Sequence, residues 1–428
     1  MKNINWLFVA ALALFVSACG GGGGGGGGGS APPSPPPSPG THTVTITVTD
    51  TSGAPVNGLT VSSSPVITVT NTADGVYTAT AQDGVNYTFT PQGGTFNPTD
   101  WTGTVTNDVA INFTKQLAAY TASNVAFPCE EVNAAYPGSK RTGACVKDTS
   151  TGAETFFVDN INVAGYQPLA LVLPRDGSGN VAHIGVNYAG MYTSSLTAPA
   201  NTALVIPYDL YPGCPLSNVG PTSAGSVSYF DTVYTATYGA WAVVGGACDN
   251  HVTQWTELFF REMKSNSTNI VPVTPGDTSL KDSPVILGGD ETTGTVDIGW
   301  INKNTGNVMQ QELRNGALVG SPTVIATNAD GNNGSGPALS VNVAYSFLAM
   351  QRSGEIVVKL ANGTEQSVGP GYCPRFSLVP GNGMDLLYSN GSNLIVATLN
   401  ADGSIAERKI VPALTKLASS SCFAVLVP

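Results

Sequence analysis

Glu355-Ile-Val-Val-Lys-Leu360, closed by the turn at Asn362-Gly363, follows Leu339-Ser-Val-Asn-Val343 and Ser346-Phe-Leu-Ala-Met350. Each run is short, apolar or alternating, and bounded by turn formers, which is the pattern of a strand rather than a helix. The trio has counterparts on both sides. Pro284-Val-Ile-Leu287, Val296-Asp-Ile-Gly-Trp300 and Val308-Met-Gln-Gln-Glu-Leu313 end at Asn315-Gly316. Phe376-Ser-Leu-Val379, Met384-Asp-Leu-Leu-Tyr388 and Asn393-Leu-Ile-Val-Ala-Thr-Leu399 end at Asp402-Gly403. The three turns stand 47 and 40 residues apart. A fourth strand fits after two of them, at Glu365-Gln-Ser-Val368 and Ala406-Glu-Arg-Lys-Ile410. A four-stranded unit recurring every 40 to 50 residues or so is the mark of a β-propeller blade. Weaker versions lie at 166–212 and 225–272, so residues 117–428 read as a propeller-like domain of about six blades. Cys422-Phe-Ala-Val-Leu-Val-Pro428 reads as a strand that completes the first blade beside the segment after Leu117, closing the ring. A β-helix or a pair of sandwiches is the competing architecture.

Residues 41–116 read differently. His42 to Thr49 (HTVTITVT) alternates strictly, so one face is buried. Short strands follow at Leu59–Val61, Val66–Val69, Gly75–Thr80, Tyr87–Thr90 and Val109–Phe113, with turns roughly every ten residues, as in a β-sandwich. Val48-Thr-Asp-Thr-Ser-Gly-Ala-Pro-Val-Asn-Gly-Leu-Thr-Val61, Asp74-Gly-Val-Tyr77 and Gly84-Val-Asn-Tyr-Thr-Phe-Thr-Pro91 resemble the carboxypeptidase-regulatory-like, transthyretin-like group of Ig-like modules. That resemblance implies a spacer or accessory binding module. Some relatives carry a Lys–Asn isopeptide bond; the module's one lysine, Lys115, lies at its end rather than in its first strand, so the bond is not expected here. Trp101 reads as a core or rim residue of the sandwich.

Ahead of the module, Lys2 and the apolar run Trp6–Val16 have the plan of a secretory signal peptide. The run is shorter than the 20 or so apolar residues that span a bilayer. Val16-Ser17-Ala18-Cys19 resembles the lipobox of bacterial lipoproteins. The resemblance implies removal of residues 1–18 and a lipid anchor on Cys19; Gly20 after it suits sorting to the outer membrane. Gly20–Gly29 is flexible coil and the Pro/Ser run Ala31–Pro39 prefers extended polyproline II, so residues 19–40 form a tether.

Composition narrows the function classes. Charged residues make up 11% of the 428, and the formal charge is −11. Nucleic acid as a partner requires clustered Lys/Arg, so none is expected. Beyond Cys19, six cysteines remain, an even number that suggests disulfides in an exported chain. Proximity along the chain favours Cys129–Cys145, Cys214–Cys248 and Cys373–Cys422.

Catalytic signatures are sparse. His42, His183 and His251 are scattered without metal-ligand spacing, and no GxSxG, SxxK or Walker motif occurs. Asp330–Ser335 and Asp176–Asn180 lack the acidic spacing of a calcium loop and read as turns. Neither a metal nor a cofactor is expected. The propeller-like part broadly resembles bacterial propeller domains, sialidase-like ones included. Asp290–Trp300 departs from the Asp-box form SxDxGxTW, so no catalytic residue is carried over. Glycosidase chemistry would need two converging carboxylates, for which Asp231, Asp249, Glu257, Asp290 and Asp297 are available, with Arg175, Arg261, Arg314, Arg352 and Arg375 as carboxylate binders. Trp241, Trp255 and Trp300 are the candidate sugar-stacking residues, with packing between blades as the competing role. The expectation is a lipid-anchored, non-enzymatic binding or scaffolding protein for a glycan, an envelope component or a protein partner. A glycan-directed enzyme with its site in the central depression, or a structural envelope component, are the alternatives.

Overall fold

In a computed structural model, the described residues are 39–132, 140–159, 182–187, 190–195, 198–207, 227–235, 239–249, 254–262, 270–290, 292–331, 338–377, 384–417, 422 and 424–427. Between 156 and 256 the backbone alone is described. Residues 1–38, with the expected Cys19 anchor and most of the expected tether, lie outside them. Thr41–Pro428 forms one compact unit. The fold is all-β, with no α-helix among the described residues.

Residues 41–115 build two sheets packed face to face. The larger is ordered Val69–Ala73, Val76–Gln82, Thr41–Asp50, Val109–Lys115, Phe96–Asn97; the smaller is ordered Val61–Ser64, Val85–Pro91, Trp101–Val105. Alternation sets the faces. Val44, Ile46 and Val48 are fully buried against Tyr77, Phe89, Ile111 and Phe113, while the intervening threonines look outward. The first strand is central: it pairs antiparallel with Val76–Gln82 and parallel with Val109–Lys115.

After the sandwich, the described residues form six successive up-and-down sheets, the blades of a β-propeller. Blades 2 to 5 are sequential: Ala182–Asn187, Gly190–Ser195 and Ala198–Pro207; then Val227–Thr235, Gly239–Asp249, Gln254–Glu262 and Ile270–Pro272; then Lys281–Asp290, Thr295–Asn302, Asn307–Arg314 and Ala317–Ala326; then Leu339–Asn342, Phe347–Arg352, Glu355–Lys359 and Glu365–Pro370. Blade 6 holds Tyr372–Phe376, Asp385–Ser389, Leu394–Leu399 and Ile405–Ile410. Its inner strand, Tyr372–Phe376, ends where the expected run Phe376–Val379 begins.

Tight turns hold the blades in register. Asn315 (φ 49°) and Gly316 (φ 75°) form a two-residue hairpin with both residues left-handed, the geometry that matches strand twist. Ser353 and Gly354 repeat it in blade 5 (φ 51° and 80°).

Closure is interlocked. Blade 1 is ordered Glu154–Asp159, Lys140–Lys147, Asn124–Val132, Val425–Val427, so its inner strand comes from the C-terminus, as the terminal sequence suggested. Ala118–Ala119 in turn pairs parallel with Lys409–Ile410 on the outer edge of blade 6. Cys373–Cys422 bonds the inner strand of blade 6 to the segment that enters blade 1, and Cys129–Cys145 staples two strands of blade 1. Of the expected Cys214–Cys248 pair, Cys214 and the side chain of Cys248 lie outside the described residues. Disulfides of this kind belong to an oxidising compartment beyond the cytoplasm.

Apolar cores sit between consecutive blades. Val125, Phe127, Leu387, Val396 and Leu426 fill the joint of blades 6 and 1; Phe347, Val358, Phe376 and Ile395 fill that of blades 5 and 6.

A polar clamp supports the closure. The Glu154 carboxylate accepts hydrogen bonds from Thr415 N (2.8 Å), Thr415 Oγ1 (2.8 Å), Lys416 N (3.0 Å) and Lys147 Nζ (3.0 Å). Lys147 Nζ also donates to Ala413 O (2.9 Å). Burial alone would raise the Glu154 carboxyl, but the Thr415 and Lys147 hydrogen bonds outweigh it and hold it below the ordinary value of 4.5. The clamp's stabilisation is therefore complete above pH 4.5 and is lost as pH falls through the lowered folded value. Glu154→Gln should cost about 2–3 kcal/mol at neutral pH, since buried Lys147 loses its counter-charge. It should also flatten the acid limb of the stability profile; chemical denaturation at several pH values reads both, and an unchanged acid limb would remove the clamp from the account.

Candidate functional site

Among the described residues a recess lies where the sandwich meets blades 5 and 6. Its floor is a polar joint. Asp50 closes the first strand, and its Oδ1 accepts from Ser52 N (2.8 Å), Ala54 N (3.2 Å) and Ser52 Oγ. These bonds fold 50–55 into a compact loop that reaches the propeller. There Asp50 Oδ2 lies 3.4 Å from Arg408 Nη1, with both side chains largely buried (3% and 15% exposed). Arg408 is oriented in turn by Val368 O, which accepts from Nη2 (2.6 Å) and Nε (3.1 Å). Asn390 Nδ2 donates to Thr51 O and Ser52 O (3.3 Å each). Gly369, at φ +146°, lets the backbones approach; a Cβ there would come within 3.1 Å of Ala54 Cβ. Burial pushes the nearby Tyr388 phenol up.

Beside this joint opens a cleft of about 840 Å³. The sandwich contributes Asn57, Asp74, Thr95 and Lys115; blade 5 contributes Gln366 and Ser367; blade 6 contributes Ser404, Ala406 and Glu407. The amides and hydroxyls of Asn57, Thr95, Gln116, Gln366, Ser367 and Ser404 share the wall with charged side chains and with apolar ones such as Val56, Leu117, Val368 and Ile405. Such a lining offers neutral donors and acceptors, the vocabulary of hydroxyl-rich ligands, within the size range of small-molecule sites.

The structure places the sequence candidates elsewhere. Trp300 is 1% exposed, packed among Leu258, Phe260, Ile286 and Val296 between blades 3 and 4, so it presents no face to a ligand. This corrects its place among the stacking candidates: its position in the central strand Thr295–Asn302 points inward between two sheets. Trp241 and Trp255 lie in blade 3 strands, and their side chains fall outside the described residues. Trp101 is half-buried at the rim of the sandwich, 6.0 Å from the Phe89 ring.

The candidate acids and arginines that are described do not converge. Asp297 Oδ1 accepts from Gln310 Nε2 (2.9 Å), Asp290 caps its own turn, Arg314 pairs with Glu312 (2.8 Å), and Arg352 makes a two-pronged contact with Glu365. The side chains of Asp231, Asp249, Arg175 and Arg261 lie outside the described residues. Glu257 Oε1 accepts from Thr274 Oγ1 (2.7 Å) and Thr274 N (3.1 Å). Burial pushes its carboxyl up despite those bonds and the nearby Lys281 charge, and burial pushes Lys281 down. Lys281 Nζ donates to Asp277 O (2.7 Å) and Ser279 O (3.0 Å), so this pair stitches the segment entering blade 4. His42 Nε2 lies 3.2 Å from Asp83 Oδ1. Among the described residues no three His, Cys, Asp or Glu side chains gather as metal ligands.

No protein-family model matches the sequence, and no curated protein matches it. Solved structures do. Regucalcin, a calcium-binding protein from Agrobacterium tumefaciens, is 11% identical over 70% of this chain and 98% of its own (TM-score 0.37). The Aleuria aurantia lectin, solved with α-methyl-L-fucoside, is 12% identical over 71% and 99% (TM-score 0.38). Hydrazine synthase from Kuenenia stuttgartiensis is 12% identical over 73% and 47% (TM-score 0.43). Likeness at this level bears on neither ligand nor activity. The fold rests on the strand order described above.

Proposed function

We propose that this chain is an envelope-displayed binding protein, lipid-anchored through Cys19, whose ligand is a glycan held in the cleft between the sandwich and blades 5 and 6. The carrying observation is that cleft: about 840 Å³, with amides and hydroxyls set among apolar and charged side chains, and built on a floor that hydrogen bonds hold fixed. A preformed recess spares a ligand the cost of ordering its own site. The lipobox-like Val16–Cys19 and the Gly/Pro-rich tether support display at a membrane surface.

The test is retention of the full-length chain on a glycan array and on immobilised envelope extract, beside Ala406→Trp. Ala406 is exposed and lines the cleft, so a bulky ring there fills space without touching the core. Glycan retention by the wild type that falls at least tenfold in Ala406→Trp supports the reading. Equal retention by both proteins overturns the cleft as the site, and release of shortened product from a bound glycan would make the chain an enzyme.

A further inference from the structure

Lys115 is the only lysine or arginine in residues 41–116. It ends the strand Val109–Lys115, its carbonyl is held by Thr51 N (3.0 Å), and its side chain lines the cleft. The stem lies across Gly94: a Cβ built on that glycine would sit 2.9 Å from Lys115 Cε and 3.6 Å from Cγ. Among the described residues its ammonium has neither an ion pair nor a hydrogen bond.

The other charges of the cleft already have partners. Arg408 is turned onto Asp50 and Val368 O; Glu407 lies 2.6 Å from Lys409 Nζ; Asp74 Oδ1 accepts from Asn57 Nδ2 (3.0 Å). One cation is thus left to meet a ligand, in a recess whose amides and hydroxyls can bond hydroxyl groups beside it. A charge-assisted hydrogen bond is roughly twice as strong as a neutral one, and partial enclosure reduces its screening. A densely charged polyanion suits neither a single lysine nor a chain of net charge −11.

We propose that the ligand is an acidic, carboxylate-bearing glycan, and that Lys115 receives its carboxylate. This rests on the glycan-binding reading of the cleft and adds the charge class.

The test is calorimetric titration of the full-length chain with tetragalacturonate and with its fully methyl-esterified counterpart. The wild type should bind the acid at least tenfold more tightly than the ester. Lys115→Gln should abolish that preference, and Lys115→Arg should keep most of it. Gly94→Ala retains the charge but displaces the stem that carries it, so it should weaken acid binding several-fold and leave ester binding unchanged. Equal affinity for acid and ester in the wild type, an unaltered preference in Lys115→Gln, or no binding of either probe would overturn the proposal. If both probes bind equally and Ala406→Trp removes both, the cleft remains the site and only the acidic inference falls; if Ala406→Trp removes neither, both fall.

Discussion

Replacing Cys373 and Cys422 together by alanine should lower the stability of the folded chain by about 4 kcal/mol. The two half-cystines are 49 residues apart, and releasing a loop of that length restores roughly this much chain entropy to the unfolded state. The location makes the effect structural as well as entropic. Among the described residues, the strand that the bond secures, Val425–Val427, pairs with only Asn124–Ala126, and three residue pairs are too few to hold a free strand end. Loss of the bond should therefore expose the joint of blades 6 and 1, where Leu426 and Ala424 pack on Val125 and Leu387. Urea titration of the double variant, and of the wild type with reductant, reads the shift. A loss below about 1 kcal/mol would mean that the Glu154 clamp and the core carry the closure by themselves. Cys129–Cys145, only 16 residues apart, staples one hairpin and should matter less, by about 1 kcal/mol.

Asp50→Ala should be nearly as costly, at about 4 kcal/mol. It strips the 50–55 loop of its acceptor for Ser52 and Ala54 and leaves Arg408 largely buried without a counter-charge. Because the loop is the contact between the sandwich and blade 6, the loss should also loosen that joint. Two readouts separate these effects: denaturant midpoint for stability, and the rate of proteolysis near Gln116-Leu117 for the joint. Asp50→Ala combined with Arg408→Met should recover part of the midpoint, since the stranded cation is gone. A single variant within about 0.5 kcal/mol of wild type would show that shape alone seats the sandwich.

The two effects bear on how much of the molecule could be read in one dimension. Strict alternation in His42–Thr49 told which side chains face inward, because side-chain period and strand period are the same. Asn315-Gly316, Asn362-Gly363 and Asp402-Gly403 marked blade units, because left-handed turn positions admit few residue types. The terminal apolar run announced a strand without a local partner, and the closure of blade 1 supplies one. Pairing by proximity also found Cys129–Cys145 and Cys373–Cys422.

The candidate site was far less legible. Asp50 and Arg408 are 358 residues apart, and no local periodicity links a loop carboxylate to a guanidinium on the outer strand of blade 6. Tryptophan suggested sugar stacking, yet Trp300 is a large apolar surface, and the joint of blades 3 and 4 buries it. What marked Lys115 in the sequence was its isolation, a single cation in a module that otherwise carries only acids. That signal gave no hint of direction until the fold turned the strand's end toward blade 6.

The parallel pairing inside the sandwich has a mechanical consequence. The chain enters the module at Thr41 and leaves for the propeller after Lys115, at opposite ends of two strands that run side by side in the same direction. A pull between Thr41 and the propeller is thus directed along the strands. Seven aligned residue pairs, Val44↔Val109 through Asp50↔Lys115, resist it together in shear rather than opening one at a time like a zipper. The module is built to carry load.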